Sequence, residues 1–205
     1  RGELKLEYEN RTVETVPTDE TWLASWRSRT TLGGIYEGED VDFRIRNDGR
    51  SFAPAVENRD FHGEIRPARN VPAVRREDLA LPVKDAWVWR GVEGAEGTNA
   101  HGRVKVLRRA KDGEAIRLVP GENLVVDFGQ NAAFVPDVTF SGSSGVRVTL
   151  APGEMLNDGN GRAARGNDGP EGSVLRANYR WARSQANVTL SGSEKERYVP
   201  RFTYF

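Results

Sequence analysis

Apolar and polar residues alternate with a period of two along much of this sequence, and no comparable stretch holds a helical period. Such alternation puts every second side chain on one face of a strand, where it meets a core. Turn signals such as Asp48-Gly49 and Asp168-Gly169 separate the alternating runs. The pattern predicts an all-β fold, an antiparallel, jelly-roll-like β-sandwich. The clearest runs are Val41, Phe43 and Ile45; Val104 and Val106; Val146, Val148 and Leu150; and Val188 and Leu190.

Opposite charges balance, because 30 Lys and Arg stand against 30 Asp and Glu. A chain with no net charge has no summed positive field to attract phosphates, so nucleic acid is not an expected partner. No run approaches the roughly 20 consecutive apolar residues of a membrane helix, so no membrane span is expected. The lack of cysteine excludes a disulfide framework and a cysteine nucleophile.

Irregular stretches divide the chain. Residues 47–83 are rich in Pro, Arg and Ala and hold neither period, as is typical of a connection between two β units. We predict that residues 1–66 are the carboxyl part of an amino-terminal sandwich with its linker, and that residues 67–205 form a second, accessory sandwich. Residues 91–102 and 157–172 are glycine-rich and predict exposed loops, where ligands bind in many folds.

The ends of the sequence are unusual. The chain begins without Met inside a strand-like alternation, and it stops in the aromatic run from Arg201 to Phe205 with no polar tail. We interpret it as a piece of a longer protein.

Several motifs follow one another in a fixed order: TDETW, GGIYEGEDVDFR, LVVDFGQN, GPEGSVLRANYRWA and ERYVPRFTYF. This order resembles the non-catalytic amino-terminal β-sandwich region of bacterial α-L-rhamnosidases, which belong to glycoside hydrolase family 78. The resemblance covers nearly the whole chain and is weakest over residues 85–118. The chain also departs from the family pattern after Gln130-Asn131, where Ala132, Ala133 and Phe134 replace an aromatic residue and a glycine.

The resemblance implies where the chemistry takes place. In that family, glycoside hydrolysis with inversion uses two carboxylic acids on an α-helical toroid domain, and that domain is expected outside this chain. No catalytic residue is therefore assigned here, and any enzymatic activity belongs to the parent protein. The resemblance further implies a catalytic toroid of the same polypeptide and a rhamnose-containing glycan as partners, and a periplasmic or extracellular location.

Asp127, Gln130 and Asn131 form the most site-like cluster in the sequence. A carboxylate and two amides supply the mixture of donors and acceptors that sugar hydroxyls require. An alternative is purely structural: Asp127 accepts hydrogen bonds from backbone amides after a strand, and Gly129 supplies a positive φ.

Trp87 and Trp89 share one face of a predicted strand that leads into the first glycine-rich stretch. They are the best candidates for exposed rings that stack on pyranose faces. Packing in the core is the alternative for each of them. The two histidines, His62 and His101, lack any nearby nucleophile pattern and are interpreted as surface residues.

Glu154, Asp158 and Asn160 present oxygen atoms at near-alternate positions, somewhat as calcium-binding loops do. Asn and Asp also populate glycine-rich turns for backbone reasons alone. No cofactor is required for the expected role, and calcium is the metal that this pattern favours.

Three roles stay open at this stage. The segment is an accessory support for a rhamnosidase-like catalytic domain, an independent calcium-assisted binding module for rhamnose-containing polysaccharide, or a purely structural spacer.

Overall fold

The computed structural model describes residues 2–46, 48–58, 60, 62–64, 66, 69, 71, 73–97, 100–111, 113–160, 166–201 and 204–205. Residues 161–165 of the predicted loop and Phe202 of the final alternating run lie outside this set. Within the set, the only helical elements are two 3-10 turns, Glu77–Leu79 and Ala177–Tyr179, so no helix there is long enough to cross a membrane. The predicted all-β class is confirmed.

Thirteen strands make up the regular structure of the described residues. They are β1 (Glu3–Glu7), β2 (Val13–Pro17), β3 (Leu23–Ala24), β4 (Thr30–Gly34), β5 (Gly38–Asp42), β6 (Ala53–Pro54), β7 (Asp85–Glu93), β8 (Arg103–Arg109), β9 (Asn123–Asp127), β10 (Val138–Phe140), β11 (Arg147–Leu150), β12 (Gln185–Thr189) and β13 (Glu196–Tyr198).

Two sheets contain more than two of these strands. The four-stranded sheet has the order β11-β12-β5-β4, and the three-stranded sheet has the order β8-β7-β9. The pairs β1-β2, β3-β6 and β10-β13 are two-stranded. The antiparallel prediction holds for each of these pairings except that of β5 with β12, which is parallel.

The principal core lies on one face of the four-stranded sheet. Ala186, Val188 and Leu190 occupy alternate positions at and just after β12, and each is at most 1% exposed. Val41 from β5 and Tyr198 from β13 complete the buried cluster. Full burial of an aliphatic side chain is worth about 1.5–3 kcal/mol, so this face is a main source of stability. Partly buried neighbours are Phe43, Phe140, Val148, Leu150 and Phe205.

The parallel pairing joins chain segments that are far apart in sequence. Its register runs from Gln185 opposite Gly38 to Thr189 opposite Asp42. Beyond its ends, the Ser184 N–H donates to the Tyr36 carbonyl oxygen at 2.7 Å, and the Phe43 N–H donates to that of Thr189 at 2.9 Å. Because β5 lies in the predicted unit 1–66 and β12 in the predicted unit 67–205, one sheet contains strands of both. The boundary between residues 66 and 67 stays a prediction.

Gly38 fits this pairing because it has no side chain. Its φ is +84°, and a Cβ atom there would lie 2.0 Å from the carbonyl oxygen of Gln185. Backbone of the opposite strand cannot give way as a flexible side chain can, so the close approach of β5 and β12 requires glycine at this position.

A charged network lies beside the same pairing. The Asp40 Oδ1 atom accepts hydrogen bonds from Asn187 Nδ2 at 2.7 Å and from Arg183 Nη1 at 2.9 Å. Burial raises the pKa of Asp40, but these two bonds and the positive charges of Arg183 and Arg147 outweigh it, so the pKa lies below its ordinary value. The network favours the ionised carboxylate in the folded state.

A buried acid lies next to this network. Glu39 is fully buried, and its carboxylate accepts hydrogen bonds from the Tyr198 hydroxyl at 3.3 Å and from the Arg201 N–H at 2.7 Å. Burial, together with the negative charge of Glu39 and the hydrogen bond to it, raises the pKa of Tyr198 above its ordinary value. Gly38, Glu39 and Asp40 of the GGIYEGEDVDFR motif therefore join the amino-terminal part of the chain to its carboxyl-terminal part.

We predict that Gly38→Ala destabilises the chain by about 1–3 kcal/mol more than Gly49→Ala, because the added methyl group collides with the backbone of β12. Gly49 is a matched control: its φ is +78°, yet no heavy atom lies within 4 Å of a Cβ built there. Urea unfolding of both variants measures the difference in the free energy of unfolding. Equal losses would show that β5 and β12 do not approach closely.

We also predict that Asp40→Asn costs about 1.5–3 kcal/mol at neutral pH, the value of a hydrogen bond to a charged group. The pKa of Asp40 in the folded state lies below its ordinary value of 3.8. Its ionised carboxylate therefore contributes fully to the free energy of unfolding above pH 3.8, and this contribution is lost as the pH falls from 3.8 through the folded-state pKa. The variant should therefore lose less stability than the parent chain between neutral and strongly acidic pH, as measured by urea unfolding at several pH values. Glu194→Gln, at an exposed site, is the control. Parallel pH profiles for Asp40→Asn and the parent chain would contradict the account.

Candidate functional site

A polar cleft of about 420 Å³ lies between the turn end of the β7–β8 hairpin, where β7 ends and β8 begins, and the glycine-rich loop that follows β11. Its volume is in the range of small-ligand sites. The lining residues are Glu93, Gly94, Ala100, His101, Gly102, Arg103, Asp158, Gly159 and Glu171.

Backbone contacts bring the two walls of the cleft together. The Glu171 N–H donates to the Gly102 carbonyl oxygen at 2.8 Å, and the Val104 N–H donates to the Glu171 carbonyl oxygen at 3.0 Å. Gly102 has a φ of +71°, and a Cβ atom there would lie 2.6 Å from the Glu93 carbonyl oxygen. Glycine at 102 thus allows the hairpin to close tightly enough for the loop to pair with it.

Side-chain hydrogen bonds hold the loop wall. Asn157 is buried, and its Nδ2 atom donates to Asp168 Oδ1 and to Ser173 Oγ, both at 3.0 Å. The Asp158 carboxylate accepts from Asn167 Nδ2 at 2.7 Å and from Asn160 Nδ2 at 2.8 Å. These bonds hold Asp158 in place at the cleft.

Negative charge predominates in the cleft. Glu93, Asp158 and Glu171 contribute three carboxylates, and Arg103 contributes one guanidinium, whose Nε atom donates to Glu171 Oε2 at 3.1 Å. The exposed carboxylate of Glu93 has no side-chain hydrogen bond or ion pair with any described residue. These groups can accept hydrogen bonds from hydroxyls, and the guanidinium can donate them.

His101 adds an unsatisfied polar atom to the same wall. The residue is half-buried, and its Nε2 atom is shielded from solvent with no hydrogen-bond partner in the described part of the chain. A buried polar atom without a partner costs about 1–3 kcal/mol, so such atoms in native proteins call for an explanation.

A second cleft, of about 440 Å³, is lined by four arginines, Arg29, Arg75, Arg197 and Arg201. Internal partners take up much of its positive charge: Arg197 pairs with Asp137 at 2.5 Å, and Arg75 pairs with Glu77 at 2.8 Å. This cleft lies over the buried Glu39 and Tyr198, so its residues chiefly hold the joint between β5 and the carboxyl-terminal part.

The predicted cluster of Asp127, Gln130 and Asn131 lies in a turn after β9. Asp127 Oδ1 accepts a hydrogen bond from the Gly129 N–H at 2.6 Å, and Gly129 has a φ of +75°. Both features agree with the structural alternative, in which Asp127 and Gly129 close a turn after the strand. Gln130 and Asn131 are exposed beside this turn, and none of the three residues lines either cleft. Sugar binding by this cluster stays a prediction.

Phe134, which departs from the family pattern, contributes to packing in the same region. Its ring centroid lies 5.8 Å from that of Phe128 and 6.3 Å from that of Phe205. The backbones of Phe134 and Phe205 also exchange two hydrogen bonds, of 2.7 and 2.9 Å. This side chain therefore anchors the end of the chain.

Trp87 follows the alternative of packing in the core. Its side chain is only 7% exposed, because β7 is covered at this position and the guanidinium of Arg109 lies 6.0 Å from its ring centroid. Trp89 is half-buried, and its indole Nε1 atom has no hydrogen-bond partner among the described residues. The tryptophans that the structure leaves almost wholly exposed are Trp26 and Trp181.

The predicted calcium residues are separated in their contacts. Glu154 Oε2 accepts a hydrogen bond from Asn178 Nδ2 at 3.0 Å, whereas Asp158 and Asn160 bond to each other. The described residues contain no group of three or more His, Cys, Asp or Glu side chains placed to hold a metal ion. Calcium can also bind amide and backbone oxygens, such as those of Asn160, so calcium binding stays a prediction.

Sequence reasoning missed the residues that meet in the first cleft, namely Glu93, His101, Arg103 and Glu171. It did find the glycine-rich stretches that supply three of them: residues 91–102 contain Glu93 and His101, and residues 157–172 contain Glu171. The missing step is the pairing of Arg103 with Glu171, which are 68 positions apart in sequence. No local pattern encodes a contact at that separation.

The amino-terminal and carboxyl-terminal parts of the chain each match the profile of a known protein domain. Residues 1–78 match the profile of the α-L-rhamnosidase N-terminal domain, and residues 117–205 match that of the bacterial α-L-rhamnosidase concanavalin-like domain. The intervening residues 79–116 include β7 and β8, and therefore the hairpin wall of the first cleft.

Two curated relatives match nearly the whole chain. An α-L-rhamnosidase of Streptomyces avermitilis is 25% identical over 99% of this chain and 16% of its own length. An α-L-rhamnosidase of an Alteromonas species is 22% identical over 99% of this chain and 18% of its own length. The chain thus spans less than a fifth of the length of either relative.

Solved structures have the same fold. The Streptomyces avermitilis α-L-rhamnosidase complexed with L-rhamnose aligns with 98% of this chain and 16% of its own, at 24% identity and a TM-score of 0.55. An Aspergillus terreus α-L-rhamnosidase aligns with 98% of this chain and 19% of its own, at 19% identity and a TM-score of 0.50. Taken with the two matched profiles, these findings show that the chain belongs to the bacterial α-L-rhamnosidase family, of which it contains the N-terminal and concanavalin-like domains.

Proposed function

We propose that this chain is a non-catalytic accessory segment of an α-L-rhamnosidase-like glycoside hydrolase that removes terminal L-rhamnose from glycans. In this role it supports a catalytic α-helical domain of the same polypeptide. The two matched domain profiles support the proposal, as do curated relatives that are more than five times as long as the matched region. The family resemblance also favours a periplasmic or extracellular location for the parent enzyme.

The observation that carries the proposal is that two neighbouring segments beside the β5–β12 pairing expose large apolar side chains, Ile35, Tyr36 and Trp181, which we call the apolar patch. These side chains are 79%, 72% and 99% exposed. The turn between β4 and β5 holds the first two, and the hydrogen bond from the Ser184 N–H to the Tyr36 carbonyl oxygen brings the segment after Trp181 next to that turn.

Large apolar side chains grouped on a surface are typical of protein–protein contact sites, where tryptophan and tyrosine contribute most of the binding energy. The patch lies on a rigid base, because the adjacent strands join the two ends of the chain. A segment that supports another domain needs both an apolar contact surface and a rigid base. The occupant that we propose for the patch is the catalytic domain of the parent enzyme.

The division of labour follows from the chemistry. Glycoside hydrolysis needs an acid that protonates the leaving oxygen and, in an inverting enzyme, a second carboxylate that activates water. The family resemblance assigns both to a helical domain, and the described residues contain no α-helix. Carbohydrate contacts elsewhere in the chain are compatible with this support role.

We predict that the purified 205-residue chain does not hydrolyse an aryl α-L-rhamnoside above the buffer rate. In the full-length parent enzyme, Trp181→Ser should weaken the contact between this segment and the catalytic domain by about 2 kcal/mol, the scale of an interface hot spot. Calorimetric unfolding and residual rhamnosidase activity after heating measure this loss.

Trp26→Ser is the matched control, because Trp26 is equally exposed but lies outside the patch. Rhamnoside hydrolysis by the isolated chain would refute the accessory role. Equal behaviour of the Trp181 and Trp26 variants would remove the patch as the contact site.

A further inference from the structure

We propose that Arg176 holds residues 177–184 as a preformed docking loop, from which Trp181 enters an apolar pocket of the catalytic domain. Arg176 is a positioning residue in this arrangement, because it acts on the partner only through Trp181. The inference rests on the proposed function and names the residue that prepares the apolar patch for docking. Residues 166–201, which include the loop, all belong to the described part of the chain.

The half-buried guanidinium of Arg176 binds the backbone at the far end of the loop. Its Nη2 atom donates to the Arg183 carbonyl oxygen, and its Nη1 atom donates to that of Ser184 at 3.1 Å. Nη1 also donates to the carbonyl oxygen of Pro152, in the segment after β11. The guanidinium carbon lies 4.8 Å from the centroid of the Tyr179 ring, an attractive cation–π arrangement. We call these contacts the Arg176 clamp.

The backbone of the loop needs such support. Among the described residues other than glycine, three have a positive φ, and two of these, Arg180 at +57° and Ser184 at +38°, lie on either side of Trp181. Residues with a Cβ rarely adopt this conformation, and it persists only where the surroundings hold it. Strained backbone is concentrated at binding sites and switch regions. It marks the loop as functional independently of the exposure of Trp181.

Contacts with the amino-terminal part of the chain hold the end of the loop as well. Arg183 Nε donates to the Glu37 carbonyl oxygen at 2.8 Å, and the Ser184 N–H donates to the Tyr36 carbonyl oxygen at 2.7 Å. Trp181 precedes these contacts by only two residues, so its position is tied to the β5–β12 pairing.

A fixed loop suits the docking of a large aromatic ring. Trp181 is 99% exposed. Tryptophan contributes most to an interface when it fills a pocket of the partner, and a loop that is ordered in advance avoids the entropy cost of ordering it on contact. The curated relatives are more than five times as long as the matched region, so most of each lies outside this segment and is available to cover the ring.

Arg176→Lys tests the clamp, because lysine keeps the positive charge but lacks the planar fork that reaches several carbonyl oxygens from two nitrogen atoms. In the 205-residue chain, we expect the amides of residues 177–184 to exchange with deuterium about tenfold faster, while those of β12 keep their rate. Mass spectrometry of peptic fragments measures both segments. Arg27→Lys is the matched control, since it makes the same change at an exposed arginine outside the loop.

The full-length parent enzyme tests whether the clamp acts through Trp181. Arg176→Lys and Trp181→Ser should each lower the midpoint of the calorimetric transition in which this segment separates from the catalytic domain. The double variant should unfold at the midpoint of Trp181→Ser alone, because the clamp has nothing left to position. A residue with a merely structural role would add its own loss in the double variant.

Three results would overturn the inference: unchanged exchange of the loop in Arg176→Lys, equal acceleration of β12, or additive losses in the double variant. Failure of the proposed function is recognised separately, because Trp181→Ser would then behave like Trp26→Ser in the parent enzyme. The docking role of the loop would be overturned with it, even if Arg176→Lys still accelerated exchange.

Discussion

The parallel pairing of β5 with β12 is the contact on which the rest of the structure depends. It joins Gly38–Asp42 of the N-terminal domain to Gln185–Thr189 of the concanavalin-like domain in a single sheet. The main hydrophobic core lies on this sheet, and Val41 contributes to it beside Ala186 and Val188. The core of the carboxyl-terminal domain is therefore incomplete without a strand from the amino-terminal one.

Polar residues make this pairing specific. Asp40 receives hydrogen bonds from Arg183 and Asn187, and Glu39 receives them from Tyr198 and Arg201. A different register of β5 would leave the buried Glu39 and the half-buried Asp40 without these partners, which is costly. The same arrangement places the exposed Tyr36 and Trp181 next to the pairing, where a further domain can dock.

Period-two alternation was sufficient to predict the class of fold and several core positions, because Val188 and Leu190 point to the same side of one strand. It could not predict which strands pair over long separations. The GGIYEGEDVDFR motif was one of five whose order carried the family resemblance, yet only the structure shows that its Gly38, Glu39 and Asp40 join β5 to the carboxyl-terminal part. For Trp87, alternation placed the ring on the same face as Trp89 but left open whether that face is exposed, and the structure buries the ring.

Sites are harder to predict than folds for the same reason. Asp127, Gln130 and Asn131 looked like a site because they are adjacent in sequence, and the structure shows Asp127 closing a turn. The polar cleft instead combines Glu93 and His101 with Glu171, whose position follows from a single bridge between β8 and a distant loop. Contacts of this kind depend on tertiary packing and leave no local pattern.

Amide hydrogen exchange on the 205-residue chain tests most directly whether the two matched domains form one unit. If the β5–β12 pairing joins them, the amides of β5 and β12 exchange with the same free energy of opening, and that energy equals the one for global unfolding. If the amides of β5 exchange at a much lower free energy than those of β12, the two domains open separately, and the central claim is wrong.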